Sequence, residues 1–149
     1  QFLGYLERQD LYDAAITSDG FFDSGDLARM DGSGAIRITG RTKDLIIRGG
    51  ENISCPEVEA AAYEHESIAE LSVFGIADEK YGEVPGIVYQ TKDGVTLTPD
   101  ALKAFLAERL APYKIPVHYW QVADPLPRLG TQKIDRVTLR REYNAKISA

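Results

Sequence analysis

The two apolar runs Leu71-Ser72-Val73-Phe74-Gly75-Ile76 and Ile87-Val88-Tyr89-Gln90 flank a polar, glycine-bearing segment from Asp78 to Gly86. Short runs of this kind, rich in β-branched and aromatic residues and bounded by turn formers, are strand signals. The arrangement predicts two strands paired antiparallel, so the fold must be built on a sheet. A smaller hairpin is expected where Leu45-Ile46-Ile47-Arg48 meets Gly49-Gly50 and continues into Asn52-Ile53-Ser54. Another should join the segment before Asp31 to Ala35-Ile36-Arg37-Ile38-Thr39-Gly40, whose apolar positions alternate with period two, through a loop at Asp31 to Gly34.

Helices are predicted at three places. One starts near Pro56, with Ser54 as its cap, Glu57 and Glu59 near its positive end, and Val58, Ala61, Ala62 and His65 on one face. A second starts at Thr98-Pro99-Asp100 and carries the stripe Leu102, Phe105, Leu106 and Leu110. A third covers Asp135 to Tyr143. Tyr113 to Pro116 and Asp124 to Pro127 are expected to be extended, with a strand at His118 to Val122 between them. Without a regular βαβ rhythm, the elements predict an α+β domain, helices packed on a short, mainly antiparallel sheet.

At 149 residues, 44% apolar and 27% charged, the chain can bury a core. Its formal charge of -6 disfavours non-specific attraction to nucleic acid or an anionic membrane. A lone cysteine, Cys55, excludes an internal disulfide, and two histidines make no cluster of spaced metal ligands. No run approaches the ~20 apolar residues of a bilayer span, and the start lacks a signal-peptide pattern, so a cytoplasmic setting is expected. The absent initiator methionine and the apolar, aromatic opening suggest a piece of something longer.

Several phrases could carry chemistry. In Ser24-Gly25-Asp26 a carboxylate follows a glycine, where the backbone can approach a ligand and two oxygens can accept from paired hydroxyls. The alternative is an Asp that closes its own turn. Gly40-Arg41-Thr42-Lys43-Asp44 packs two cations and a carboxylate into a connector that could hold a nucleotide and bend, or could be a solvated turn. Gly49-Gly50-Glu51-Asn52 could let a thin ligand pass, though a hairpin turn would demand the same glycines. Finally, Leu126 to Ile134 presents Lys133 on a loop bearing Pro127 and Gly130. Such a loop suits a lysine that enters and leaves a site, but a surface lysine would look the same.

Taken in order, these phrases resemble the C-terminal motifs of the adenylate-forming superfamily, which includes acyl-CoA synthetases, peptide-synthetase adenylation domains and luciferases. Gly4-Tyr5 is similar to the phrase before the last N-domain motif and Ser24-Gly25-Asp26-Leu27 to that motif. Gly40 to Glu59 is similar to the hinge motif, and Pro112 to Arg136 to the terminal lysine motif. The resemblance implies that residues 1–40 are the C-terminal edge of a large N-terminal AMP-binding domain, retaining a β-hairpin, and that 41–149 form the mobile C-terminal domain. It implies that Asp26 and Arg41 bind ATP or AMP, Asp26 through the ribose hydroxyls and Arg41 beside ribose and phosphate. Lys43 becomes the hinge, Gly49, Gly50 and Glu51 line a pantetheine tunnel, and Lys133 is catalytic, bridging substrate carboxylate and α-phosphate.

The implied activity joins a carboxylic acid to ATP, releases pyrophosphate and passes the acyl group to coenzyme A, with Mg2+ accompanying ATP on ligands outside this chain. The partners implied are the acid, ATP, CoA and the chain's own N-terminal domain, with room for a homodimer through that domain and none for nucleic acid or a membrane span. Alone the chain should be inactive. Two departures matter: Gln132 stands where the family usually has glycine, and Ile47 stands where peptide-synthetase domains and luciferases often carry lysine. The second favours fatty-acyl or aryl CoA ligases. A module that loads a carrier protein and a non-catalytic nucleotide-binding domain are the alternatives.

Overall fold

The structure is a computed structural model describing residues 6–148, so the Gly4-Tyr5 phrase lies outside the described residues. The chain divides into two compact units, one ending at Lys43 and the other beginning at Asp44.

The first unit holds a short helix, α1 (Gln9–Ala14), and an antiparallel hairpin of β1 (Asp26–Met30) and β2 (Ile36–Arg41), bulged between Leu27 and Ala28. The turn between the strands is organised by Asp31. Its Oδ1 accepts from the amides of Ser33 (2.8 Å) and Ala35 (3.2 Å) and from the Ser33 hydroxyl (2.6 Å). These bonds hold the Asp31 carboxyl below its usual range, the Ser33 hydroxyl contributing most. Met30, Ile36 and Ile38 line one face, as the period-two pattern requires, yet all three are at least 60% exposed.

The second unit is built around β6. Its strands are β3 (Leu45–Arg48), β4 (Glu51–Ser54), β5 (Ile68–Asp78), β6 (Gly82–Thr91) and β7 (His118–Gln121). Helices α2 (Cys55–Tyr63), α3 (Pro99–Ala107) and α4 (Arg136–Ser148) complete it. β6 pairs antiparallel with β5 along one edge. Its other edge meets β3 at Gly82, with Arg48 as partner, and runs parallel to β7 over Gly86 to Tyr89. That parallel pair needs a long crossover, which α3 supplies.

Side-chain parity divides β5 and β6 between two cores. Leu71, Val73, Ile87 and Tyr89 join Ile46, Ile53, Val58, Ala62, Leu102 and Leu106 in one. Phe74, Ile76, Val84 and Val88 join Leu139 and Tyr143, with Trp120 against them, in the other. Strands covered on both faces read as unbroken apolar runs, which is why neither shows clean alternation in sequence. Gly86 is required by this packing: an added Cβ would lie 2.8 Å from Ile76 and 2.9 Å from Trp120.

The outer edge of β5 is closed by side chains. Leu71 donates its amide to Tyr63 Oη (3.2 Å), Val73 to Glu59 Oε1 (2.9 Å) and Ala77 to Asn144 Oδ1 (2.8 Å). Asn144 Nδ2 donates in turn to the Gly75 carbonyl (3.1 Å). An open strand edge invites pairing with another chain, and α2 and α4 remove that option here.

Some local expectations are corrected. Ser54 occupies the N-cap of α2 but makes no side-chain cap bond. Pro56 lacks the N–H that would be one of the two usual targets. His65 falls beyond the end of α2 and packs edge-on against Phe105, ring centroids 4.7 Å apart. Pro112–Lys114 is a 3₁₀ turn rather than extended chain, and α4 continues past Tyr143. Thr98 does cap α3, accepting from the Ala101 amide at 3.3 Å.

Candidate functional site

In the first unit the turn before β1 positions Asp26. Gly25 has φ +69°, and its amide donates to Asp23 Oδ1 (2.8 Å), while the Asp26 amide donates to Ser24 Oγ (3.2 Å). The turn is therefore closed by Asp23 and Ser24, which leaves the Asp26 carboxylate for other work. Cross-strand register sets Asp26 opposite Arg41, and Arg41 Nε donates to Asp26 Oδ1 at 2.9 Å. The second carboxylate oxygen has no partner among the described residues, and Arg41 is largely exposed. An exposed pair of this kind contributes about 0–1 kcal/mol to stability. Lys43 follows in an exposed 3₁₀ turn, Thr42–Asp44, with no side-chain partner among the described residues.

In the second unit Gly49 and Gly50 form the two-residue loop of the β3–β4 hairpin, with φ of +57° and +93°. Positive φ at both central positions is what a type I′ turn requires. Gly49 is also confined sterically, since its amide donates to the Tyr81 carbonyl (2.8 Å) and a Cβ would lie 3.3 Å from the Tyr81 ring. Gly49 and Glu51 line a cavity of about 350 Å³ with Arg48, Tyr81, Pro112 and Tyr113. Arg48 Nη1 donates to the Tyr113 carbonyl (2.6 Å), and its guanidinium sits 4.9 Å from the Tyr81 ring centroid. The lining thus combines two aromatic rings, a half-tethered cation and the carboxylate of Glu51. Nothing in the sequence pattern singled out Arg48, Tyr81 or Tyr113.

Lys133 lies on a tight loop between the bridged residues Arg128 and Ile134. Leu129 donates its amide to the Lys133 carbonyl (2.8 Å), Gln132 to Leu129 O (2.9 Å) and Asp135 to Pro127 O (2.8 Å). Gln132 has φ +65°, the left-handed region that favours glycine. The Lys133 side chain is exposed and has no hydrogen bond or ion pair among the described residues. No hydrogen bond or ion pair joins it to the Gly49 turn.

Beside this loop Arg136 opens α4. It forms an ion pair with Asp44 Oδ1 (2.5 Å) and donates to both oxygens of Glu59 (2.8 and 2.9 Å). Burial opposes its charge, but the two carboxylates prevail and lift its pKa above the ordinary arginine value. Cys55 packs nearby with its thiol pushed up to about 12 by burial, so it is a core residue and not a nucleophile. Among the described residues no group of three or more His, Cys, Asp or Glu is arranged to hold a metal ion. Among the described residues no helix is long and apolar enough to cross a membrane.

Residues 57–133, just over half the chain, match the family model described as the AMP-binding enzyme C-terminal domain. The chain belongs to this family. The chain is 37% identical over 149 residues to the medium-chain fatty-acid–CoA ligase of Escherichia coli, covering 99% of itself and 26% of that enzyme. Among solved structures it resembles o-succinylbenzoate CoA synthetase from Bacillus subtilis in complex with the acyl-adenylate intermediate OSB-AMP. There the TM-score is 0.77 at 36% identity, covering 86% of this chain and 26% of that one. It also resembles ATP-bound MatB from Rhodopseudomonas palustris, with TM-score 0.80 at 32% identity, covering 89% and 26% respectively. The chain thus spans about a quarter of the length of the curated relatives it matches.

Proposed function

We propose that this chain is the C-terminal portion of an AMP-forming acyl-CoA synthetase. In the first half-reaction a carboxylate oxygen of the acid attacks the α-phosphorus of ATP and the bond to pyrophosphate breaks, giving acyl-AMP. In the second the thiolate sulfur of coenzyme A attacks the acyl carbon and AMP departs. The observation that carries this reading is Lys133, an exposed lysine without a side-chain partner among the described residues, on a braced loop in a chain of the AMP-binding family. Two anions must meet in the first step, and a fixed ammonium between them offsets their repulsion and stabilises the charge that develops.

The other roles follow from the same reading. Asp26, with one oxygen on Arg41 and the other unpartnered among the described residues, accepts from the ribose hydroxyls, and Arg41 presents its remaining N–H donors to the ribose and phosphate. Lys43 lies in the short turn between the two units and serves as the swivel on which Lys133 leaves once acyl-AMP has formed. Gly49, Gly50 and Glu51 then line the path of the pantetheine arm, and a Cβ at Gly49 would press on the Tyr81 ring beside it. The N-terminal domain supplies the phosphate loop, the acyl pocket and the Mg2+ ligands. Such an enzyme works where ATP and CoA are held, in the cytoplasm.

The test is a panel of fatty and aryl acids offered with ATP and CoA to the full-length enzyme. Equimolar pyrophosphate, AMP and acyl-CoA are the expected products. Formation of ADP and phosphate, or of no thioester with any acid, contradicts the proposal.

A further inference from the structure

Lys133 stands between two arginines, and both are committed. Upstream, Arg128 pairs with Glu70 of β5 and donates from Nη1 to the Gln132 carbonyl at 2.7 Å. Downstream, Arg136 spans Asp44, the first residue of the second unit, and Glu59 on α2. Glu59 also accepts the Val73 amide of β5. One guanidinium therefore joins the start of the unit, α2, the sheet edge and the loop that ends three residues earlier at Lys133.

Arg136 sits there against two local penalties. It is a cation at the first position of a helix, where the macrodipole is positive. Its Nε is also buried without a hydrogen-bond partner. Helix stability alone therefore gives no reason for an arginine at this place, whereas the connection it makes does.

We propose that Arg136 is a positioning residue for Lys133. By clamping the lysine loop to Asp44 and Glu59, it makes the ammonium part of the same rigid body as the segment that leaves the connector. A swivel near Lys43 then delivers Lys133 to a defined point rather than to the range a loose loop would sweep. This inference rests on the function proposed above. A misplacement of about 1 Å costs on the order of a hundredfold in rate, so a loosened loop should lower the adenylation rate and spare the step that does not use Lys133.

The experiment compares Arg136→Met, Arg136→Lys and Leu139→Ala in the full-length enzyme. Leu139 is buried on the same helix, in the core with Phe74, Ile76 and Tyr143, and is a member of no ion pair, so its truncation serves as the control for general destabilisation. In R136M, adenylation is expected to fall about tenfold or more relative to thioester formation from supplied acyl-AMP. R136K, which keeps a cation for one of the two carboxylates, should recover part of the loss, and L139A should leave the ratio of the two rates unmoved. An equal ratio in R136M and L139A overturns the proposal. Hydrogen exchange reads the clamp without any activity: the Leu129 and Gln132 amides should exchange about tenfold faster in R136M than in L139A. Unchanged exchange also overturns it. Should the wild-type enzyme make no acyl-AMP, the proposed function fails, while the exchange result still decides whether Arg136 holds the loop.

Discussion

Replacing Glu59 by alanine should be among the most damaging single changes in the second unit. The carboxylate receives two bonds from Arg136 and the Val73 amide, and its side chain is only 16% exposed. Removing it orphans the Val73 donor, at about 1–3 kcal/mol, and strips the bidentate half of the Arg136 clamp, which stays attached only to Asp44. Arg136 keeps 27% of its side-chain surface in water, so the ~3–5 kcal/mol of a fully buried broken pair is an upper bound. We expect E59A to cost about 3 kcal/mol, taking the lower part of both ranges. Glu59→Gln keeps an acceptor for Val73 and loses only the charge, so it should cost roughly half as much, about 1–2 kcal/mol. In urea, with an m-value of about 1.5 kcal/mol/M, E59A should move the unfolding midpoint down by about 2 M. A double-mutant cycle with R136M should return a coupling of about 1–3 kcal/mol. A midpoint shift for E59A under about 0.3 M, or equal losses in E59Q and E59A, would refute the reasoning.

Burial keeps the Cys55 thiol protonated to about 12, while the unfolded chain ionises near its ordinary value. Stability should therefore be full below about pH 8.5 and decline above it by about 1.4 kcal/mol per pH unit, a slope that C55A, measured by urea unfolding across pH 8 to 10, should reduce. Burial also raises Tyr89, Tyr119 and Tyr143, which add a decline of the same sign at higher pH. Gly86→Ala forces a Cβ against Ile76 and Trp120 and should cost about 1–3 kcal/mol by thermal or urea unfolding, whereas a neutral result would mean that β6 can shift freely. At Gln132 the left-handed backbone costs an L residue about 1–2 kcal/mol, and glycine's extra freedom takes back about 0.5–1. Gln132→Gly should thus gain between nothing and about 1.5 kcal/mol and Gln132→Val should lose, measured by the same unfolding assay.

Much of the second unit was legible because its signals are local. The runs at Leu71 and Ile87 are the two longest strands, Gly49-Gly50 turns the β3–β4 hairpin, and the Asp31 to Gly34 loop turns the first. The parallel pairing of β7 was not legible, because four residues, His118 to Gln121, carry no sign of which neighbour they will meet. Nor was the junction of Asp44, Glu59 and Arg136, whose members are up to 92 positions apart and converge only when α2 and α4 pack on the sheet. The same holds for Tyr81 and Tyr113, aromatic residues in polar segments that become a cavity wall only through the position of Arg48. Gln132 was visible as a departure from a family pattern, but its positive φ belongs to the backbone and could not be read from the residue.

The central claim is that the ammonium of Lys133 serves the first half-reaction alone, and separating the two halves tests it most directly. Lys133→Ala in the full-length enzyme should reduce pyrophosphate release from acid and ATP by about a hundredfold or more, the scale on which lost electrostatic stabilisation is felt. Thioester formation from supplied acyl-AMP and CoA should continue near the wild-type rate. If K133A forms acyl-AMP normally, or loses both halves alike, the account is wrong.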